Sequence, residues 1–119
     1  MPTPPIIDSQ AIDNLRALTP GDHDEFLREI VGIFLEDTPH RIAELDQSLA
    51  DNDPQRFTRA AHSVKGSSSN LGAMALRAVA ERLEHQSKQS GLPGVEPLLA
   101  ELKSEFTRAA AELGQIIKR

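Results

Sequence analysis

No cysteine, tryptophan or tyrosine occurs in the 119 residues. Without cysteine there is no disulfide framework, no thiolate nucleophile and no Cys-ligated zinc, and a reducing cytoplasm is the compartment the chain fits most simply. Aromatic residues amount to 3%, all Phe, within a hydrophobic content of 39%. Any core must therefore be aliphatic and alanine-rich, as packed helices permit. No run of about 18 apolar residues offers a membrane span. Met1-Pro2-Thr3-Pro4-Pro5-Ile6-Ile7 has neither the basic region nor the apolar run of a signal peptide. Positive charge is also scarce: the formal net charge is −5, which argues against nucleic acid as the main partner, because phosphate backbones are bound by clustered Lys and Arg. A GxxxxGK[ST] nucleotide loop is missing, so the chain is not expected to bind ATP or phosphorylate itself. A single domain remains, with a protein partner or a small ligand.

The periodicity that is present is helical throughout, and no useful strand-like alternation appears. Residues 1–7 read as an extended, Pro-rich lead, and residues 8–119 as one domain. Asp8 caps a short helix through Leu18 with an apolar stripe of Ala11, Ile12, Leu15 and Leu18. Thr19-Pro20-Gly21 stops it. Asp22 and Glu25 resemble a capping box, after which Phe26, Ile30, Ile33, Phe34, Ile42, Leu45 and Leu49 predict a second helix to about Ala50, weakened or kinked at Pro39. Asp51-Asn52-Asp53-Pro54 marks a turn, with Asp53 as N-cap and Pro54 in the first helical position. The third helix runs from Pro54 to about Asn70. A break at Gly66, which costs about 1 kcal/mol against Ala in a helix interior, is the alternative. Continuation is favoured because Leu71 keeps a core phase only if the helix persists. Gly72 turns the chain into a fourth helix, Ala73 to about Gln89, burying Leu76, Val79, Ala80 and Leu83. After the Ser90–Gly94 loop, a last helix starting between Pro93 and Leu98 buries Leu98, Leu102, Phe106, Ala109, Leu113 and Ile116. The fold class is all-α: an antiparallel up-down four-helix bundle with a short additional N-terminal helix across one end.

On the third helix, about 100° per residue places Thr58, Lys65, Gly66 and Ser69 on the same side as His62, while Phe57, Ala60, Ala61, Val64, Ser68 and Leu71 lie opposite. His62 therefore points at water. Neutral imidazole, with an ordinary pKa of about 6.5, is a competent nucleophile near neutrality. Lys65 sits about one turn away as a point charge for anionic oxygens. Gly66 leaves bare backbone where another protein can approach. That company suits transient bonding to a phosphoryl group.

The stretch Ala61-His62-Ser63-Val64-Lys65-Gly66-Ser67-Ser68-Ser69-Asn70-Leu71-Gly72-Ala73 resembles the histidine-containing phosphotransfer (HPt) domains of bacterial multistep phosphorelays. The likeness extends to Phe34-Leu35-Glu36-Asp37-Thr38-Pro39-His40-Arg41-Ile42-Ala43-Glu44-Leu45, which is similar to the family's long second helix with its interior Pro, and to Ala80-Glu81-Arg82-Leu83-Glu84. The resemblance implies that His62 accepts a phosphoryl group from a receiver-domain aspartyl phosphate and passes it to another receiver aspartate. It implies that Lys65 helps hold the phosphoryl oxygens and that Gly66 clears the approach. Glu84 stands where the family often has Gln or Glu, within reach of His62 Nδ1, which leaves Nε2 to react. Thr58 and Arg59 fall within a partner's footprint. Ser69 either touches phosphoryl or caps the helix end, the second being preferred. The implied partners are receiver domains of response regulators and hybrid sensor kinases, met by a cytoplasmic monomer with no cofactor of its own. Mg²⁺ is expected on the receiver.

Two other classes were open to the same residues. A carboxylate-bridged di-metal bundle needs paired carboxylate-x-x-His motifs, and only Asp37-x-x-His40 fits, interrupted by Pro39. A non-catalytic adaptor would bind its partner without phosphoryl transfer, which the intact His62, Lys65 and Gly66 argue against. His23 and His85 sit among charged residues and read as solvated. The initial Met favours a free-standing chain over a piece of a larger kinase.

Overall fold

The structure, a computed structural model, describes residues 4–118; Met1, Pro2 and Thr3 of the expected N-terminal lead, and the final Arg119, lie outside them. Five helices follow one another: α1 (Ser9–Leu18), α2 (Glu25–Ala50), α3 (Pro54–Asn70), α4 (Met74–Ser90) and α5 (Glu96–Ile117). No strand occurs among the described residues. Connections of a few residues, at Asp51–Asp53, Leu71–Ala73 and Gly91–Val95, oblige each long helix to run back along its predecessor. α3 packs between α2 and α4, and α5 closes the ring by packing on both α4 and α2. Side chains from all five helices, among them Ile12, Leu27, Phe57, Val64, Leu83 and Leu102, meet in one core.

α2 and α5 have 26 and 22 residues against 17 each for α3 and α4. At about 1.5 Å per residue the longer pair extends past the α3–α4 turn, and α1 packs there on α2. Gly72 makes that docking feasible. Its φ is +70°, and a Cβ would lie 2.6 Å from the Cβ of Ala11; its carbonyl accepts from the backbone N–H of Asp8 at 2.7 Å. The segment before α1 is also engaged, since Pro5 O accepts from Ala75 N at 3.0 Å. That bond satisfies one of the first-turn donors of α4, whose N-cap, Ala73, has no side chain to do so.

Local chemistry sets the helix ends. The Asp8 carboxylate accepts from Gln10 N at 3.1 Å, and Asp53 does the same for Arg56 N at 3.1 Å with Pro54 in the first turn. Before α2, His23 and Asp24 both take left-handed φ values of 57° and 66°. The helix therefore starts at Glu25 rather than at an Asp22–Glu25 capping box. Asp22 still serves the end, its carboxylate accepting from Asp24 N and Phe26 N at 3.0 Å each.

Two expected core positions face water. Leu18 is 68% exposed and Ile33 59%. The buried stripe of α2 is Leu27, Val31, Phe34, Thr38, Leu45 and Ser48; Ile33 lies about 120° from its centre at about 100° per residue. α2 remains helical through Pro39, and α3 runs unbroken through Gly66. Helix α5 buries Leu99, Leu102, Ala109 and Leu113, with Leu98, Phe106 and Ile116 packed half-buried at the margin.

Candidate functional site

Phe57, Ala60, Ala61, Val64 and Ser68 bury one side of α3. Because the alanines are small, the helix sits close to its neighbours, and the opposite side is left as a polar stripe. His62 stands on that stripe with its side chain 66% exposed. Nothing lies within 4 Å of where a Gly66 Cβ would be, so no packing inside the molecule asks for glycine there.

The partner helix supplies the remaining group. Leu83 and Ser87 anchor α4 in the interior, and Glu84 between them projects toward α3. Its Oε2 lies 2.7 Å from His62 Nδ1, and its Oε1 lies 2.6 Å from Lys65 Nζ. One carboxylate thus joins the imidazole and the ammonium with separate oxygens. Burial, the largest single influence, pushes the Glu84 carboxyl up. The hydrogen bonds and charges of Lys65 and His62 together outweigh it and hold the group below its ordinary value of 4.5. Because a carboxylate only accepts, the bond to His62 requires the proton on Nδ1 and leaves the Nε2 lone pair directed outward. Lys65 is only 24% exposed, less free than a surface lysine read from the wheel.

One turn from His62, Thr58 Oγ1 lies 2.7 Å from Ser87 Oγ. Thr58 also donates to Pro54 O at 2.8 Å, and Ser87 Oγ lies 3.2 Å from Glu84 O. This hydroxyl pair ties α3 to α4 beneath the His62–Glu84 contact. Ser87 carries no sequence signal for such a role, because a serine inside an apolar stripe reads as filler. A shallow groove of about 490 Å³ opens beside the histidine between Pro54, Thr58 and Arg59 of α3 and Glu84, Ser87 and Lys88 of α4. Arg59 is exposed at its edge, with no carboxylate partner among the described residues. At the helix end it is the backbone of Ser69, accepting from Gly72 N at 3.2 Å, that forms the turn. The Ser69 side chain makes no hydrogen bond among the described residues and stays apart from Glu84. The Asp37-x-x-His40 pair is likewise separate, with Asp37 bonded to Arg41 at 3.4 Å.

Fold and face together define a class of protein, the helical bundle that presents a histidine. The chain belongs to the Hpt domain family, whose model matches residues 29–112. Multistep phosphorelay regulator 1 of Schizosaccharomyces pombe (strain 972 / ATCC 24843) is 31% identical over 96 residues, which take in 81% of this chain and 32% of the regulator. The chain thus spans about a third of that relative's length. Among solved structures, histidine-containing phosphotransfer protein B of Pseudomonas aeruginosa PAO1 is similar at 27% identity and a TM-score of 0.87, covering 97% of this chain and 96% of that one. A histidine-containing phosphotransfer protein of Medicago truncatula shares the fold at 21% identity and a TM-score of 0.78, covering 95% and 82%. No helix among the described residues is long and apolar enough to cross a membrane.

Proposed function

We propose that this chain is a phosphorelay intermediate, taking a phosphoryl group onto Nε2 of His62 from a receiver-domain aspartyl phosphate and giving it to the aspartate of another receiver. What supports this most is the double reach of Glu84, 2.7 Å to Nδ1 of His62 and 2.6 Å to Lys65. The first contact selects the tautomer whose lone pair faces the solvent. The second stations an ammonium beside it, with N–H donors left for phosphoryl oxygens.

In the transfer the Nε2 pair attacks phosphorus in line, the bond from phosphorus to the aspartyl oxygen breaks, and the aspartate leaves as a carboxylate. Lys65 steadies phosphoryl oxygens from this side. The receiver contributes Mg²⁺ and most of the stabilisation of transition-state charge. Gly66 lets the receiver's backbone come close, and Thr58 and Arg59 border the area it covers. The protein acts as a cytoplasmic monomer, leaving the histidine face free for successive partners.

The test is transfer itself. With a ³²P-labelled receiver and Mg²⁺, wild type takes up an acid-labile, base-stable adduct and His62→Gln does not. Equal labelling of the two proteins overturns the reading, and an unlabelled but receiver-bound wild type makes it an adaptor instead.

A further inference from the structure

We propose that Glu84 keeps His62 protonated at Nδ1 after phosphorylation, holding the phosphorylated ring in the cationic form from which the phosphoryl group leaves most readily. The inference rests on His62 being the phosphorylated residue. Once Nε2 is bonded to phosphorus, Nδ1 carries either a proton, giving a phosphoimidazolium, or a lone pair, giving a neutral phosphoimidazole. Loss of phosphoryl from the cation returns the N–P electron pair to Nε2 and leaves neutral imidazole. Loss from the neutral form leaves an imidazolate, a much poorer leaving group. Whatever faces Nδ1 therefore decides how readily the group moves on.

Here an acceptor faces it. A carboxylate oxygen at 2.7 Å attracts an N–H and repels a lone pair. The Lys65 ammonium on the other oxygen, at 2.6 Å, keeps that carboxylate ionised, so it accepts the hydrogen bond without taking the proton. A glutamine in the same place would offer a neutral amide, whose carbonyl can accept the N–H but without the charge of the carboxylate, and so would hold the cation less strongly. The electron count closes in both directions. Inbound, Nε2 attacks, the aspartate departs as a carboxylate, and the ring gains the positive charge. Outbound, a receiver carboxylate attacks phosphorus, the N–P bond breaks, and the ring is neutral again with its Nδ1 proton in place. Neither step exchanges a proton with solvent.

The other charged groups near His62 are placed to leave Glu84 in control. Arg59 and Lys65 on α3 and Lys88 on α4 share the face. Arg41 and Glu44 of α2 lie on the opposite flank of α3, in a groove with Arg59 and Ser63. Glu81, Arg82 and His85 line a separate groove on α4 with Leu98 of α5. Among the described residues Glu84 alone is hydrogen-bonded to the His62 ring.

The full chain is loaded with phosphoramidate, a small phosphoryl donor that needs no receiver. Nδ1 of the phosphorylated ring is then followed by ¹⁵N NMR against pH, together with the lifetime of the phosphoryl group. The protonation midpoint in wild type is expected about one pH unit or more above that in Glu84→Gln, a tenfold difference in protonated fraction. At a pH above both midpoints, wild type should lose phosphoryl about tenfold faster, as the protonated fractions require. Glu84→Ala, which offers no hydrogen-bonding group at all, should also titrate below wild type. Coincident midpoints and lifetimes overturn the proposal. Failure to exchange with receivers overturns the relay reading and leaves this comparison intact, whereas a wild type that takes no phosphoryl on His62 from phosphoramidate overturns both.

Discussion

At the scale of single residues, Gly66 separates stability from function. Its position in an unbroken helix, with open space where a Cβ would be, means that alanine fits and removes the conformational penalty of glycine. Gly66→Ala is expected to raise stability by up to about 1 kcal/mol in urea denaturation. On the proposed relay the same variant should slow exchange with a receiver, because the methyl would occupy the open space proposed for the partner's backbone. Glu84 makes the opposite kind of contribution. Its carboxyl is held below the ordinary 4.5 by Lys65 and His62 in spite of burial, so its stabilising effect is fully present above about pH 4.5 and is lost as pH falls through the lower folded-state value. Below that point the stability difference between wild type and Glu84→Gln should shrink as pH falls. A difference that grows as pH is lowered below about 4.5 contradicts the assignment.

At the scale of elements, the α3–α4 turn matters to more than the helices it joins. Gly72 both reverses the chain and admits α1, with Ala11 and Asp8 against the place a side chain would occupy. Gly72→Ala combines a left-handed φ with a steric clash and is expected to cost about 2–4 kcal/mol, read as a lower urea midpoint. Retained stability would mean that α1 is not held by this contact. The turn itself is legible in the sequence, since Leu-Gly after a polar run marks it, but its tertiary duty is not, because Ala11 lies some sixty residues away along the chain. α2 shows the same division. Its C-terminal end follows from the Asp51–Pro54 turn and its length from periodicity, whereas its start at Glu25 and its buried face do not. Phe26, Leu27, Ile30, Val31, Ile33, Phe34 and Leu35 cover more of the circumference than one interface needs, so packing against α3 and α5 chooses Leu27, Val31 and Phe34 and leaves Ile33 outside. The site was more readable. His62, Lys65 and Gly66 fall on one face by helical arithmetic alone, and the pairing of Glu84 with both was foreshadowed only for His62. The Thr58–Ser87 bond lay beyond reach, since it depends on the register of α3 against α4.

At the scale of the whole molecule, charge is unevenly spread. α3 carries Arg56, Arg59 and Lys65 with no acidic residue, whereas α2 carries six acidic residues against two arginines. A chain of net charge −5 thus presents its most cationic helix around the histidine, the side on which the proposed relay docks a receiver carrying an anionic phosphoryl group. Association with a phosphorylated receiver should therefore slow as salt is raised, since electrostatic steering is screened over about 10 Å at 0.1 M ionic strength. Stopped-flow rates independent of salt would contradict that orientation effect. Bundle, face and charge converge on one imidazole, and the measurement that bears on it most directly is mapping the labelled residue by mass spectrometry under conditions that preserve phosphohistidine. After incubation with a phosphorylated receiver and Mg²⁺, the account predicts phosphoryl on His62 and none in His62→Gln; label on any other residue, or undiminished label in the variant, contradicts it.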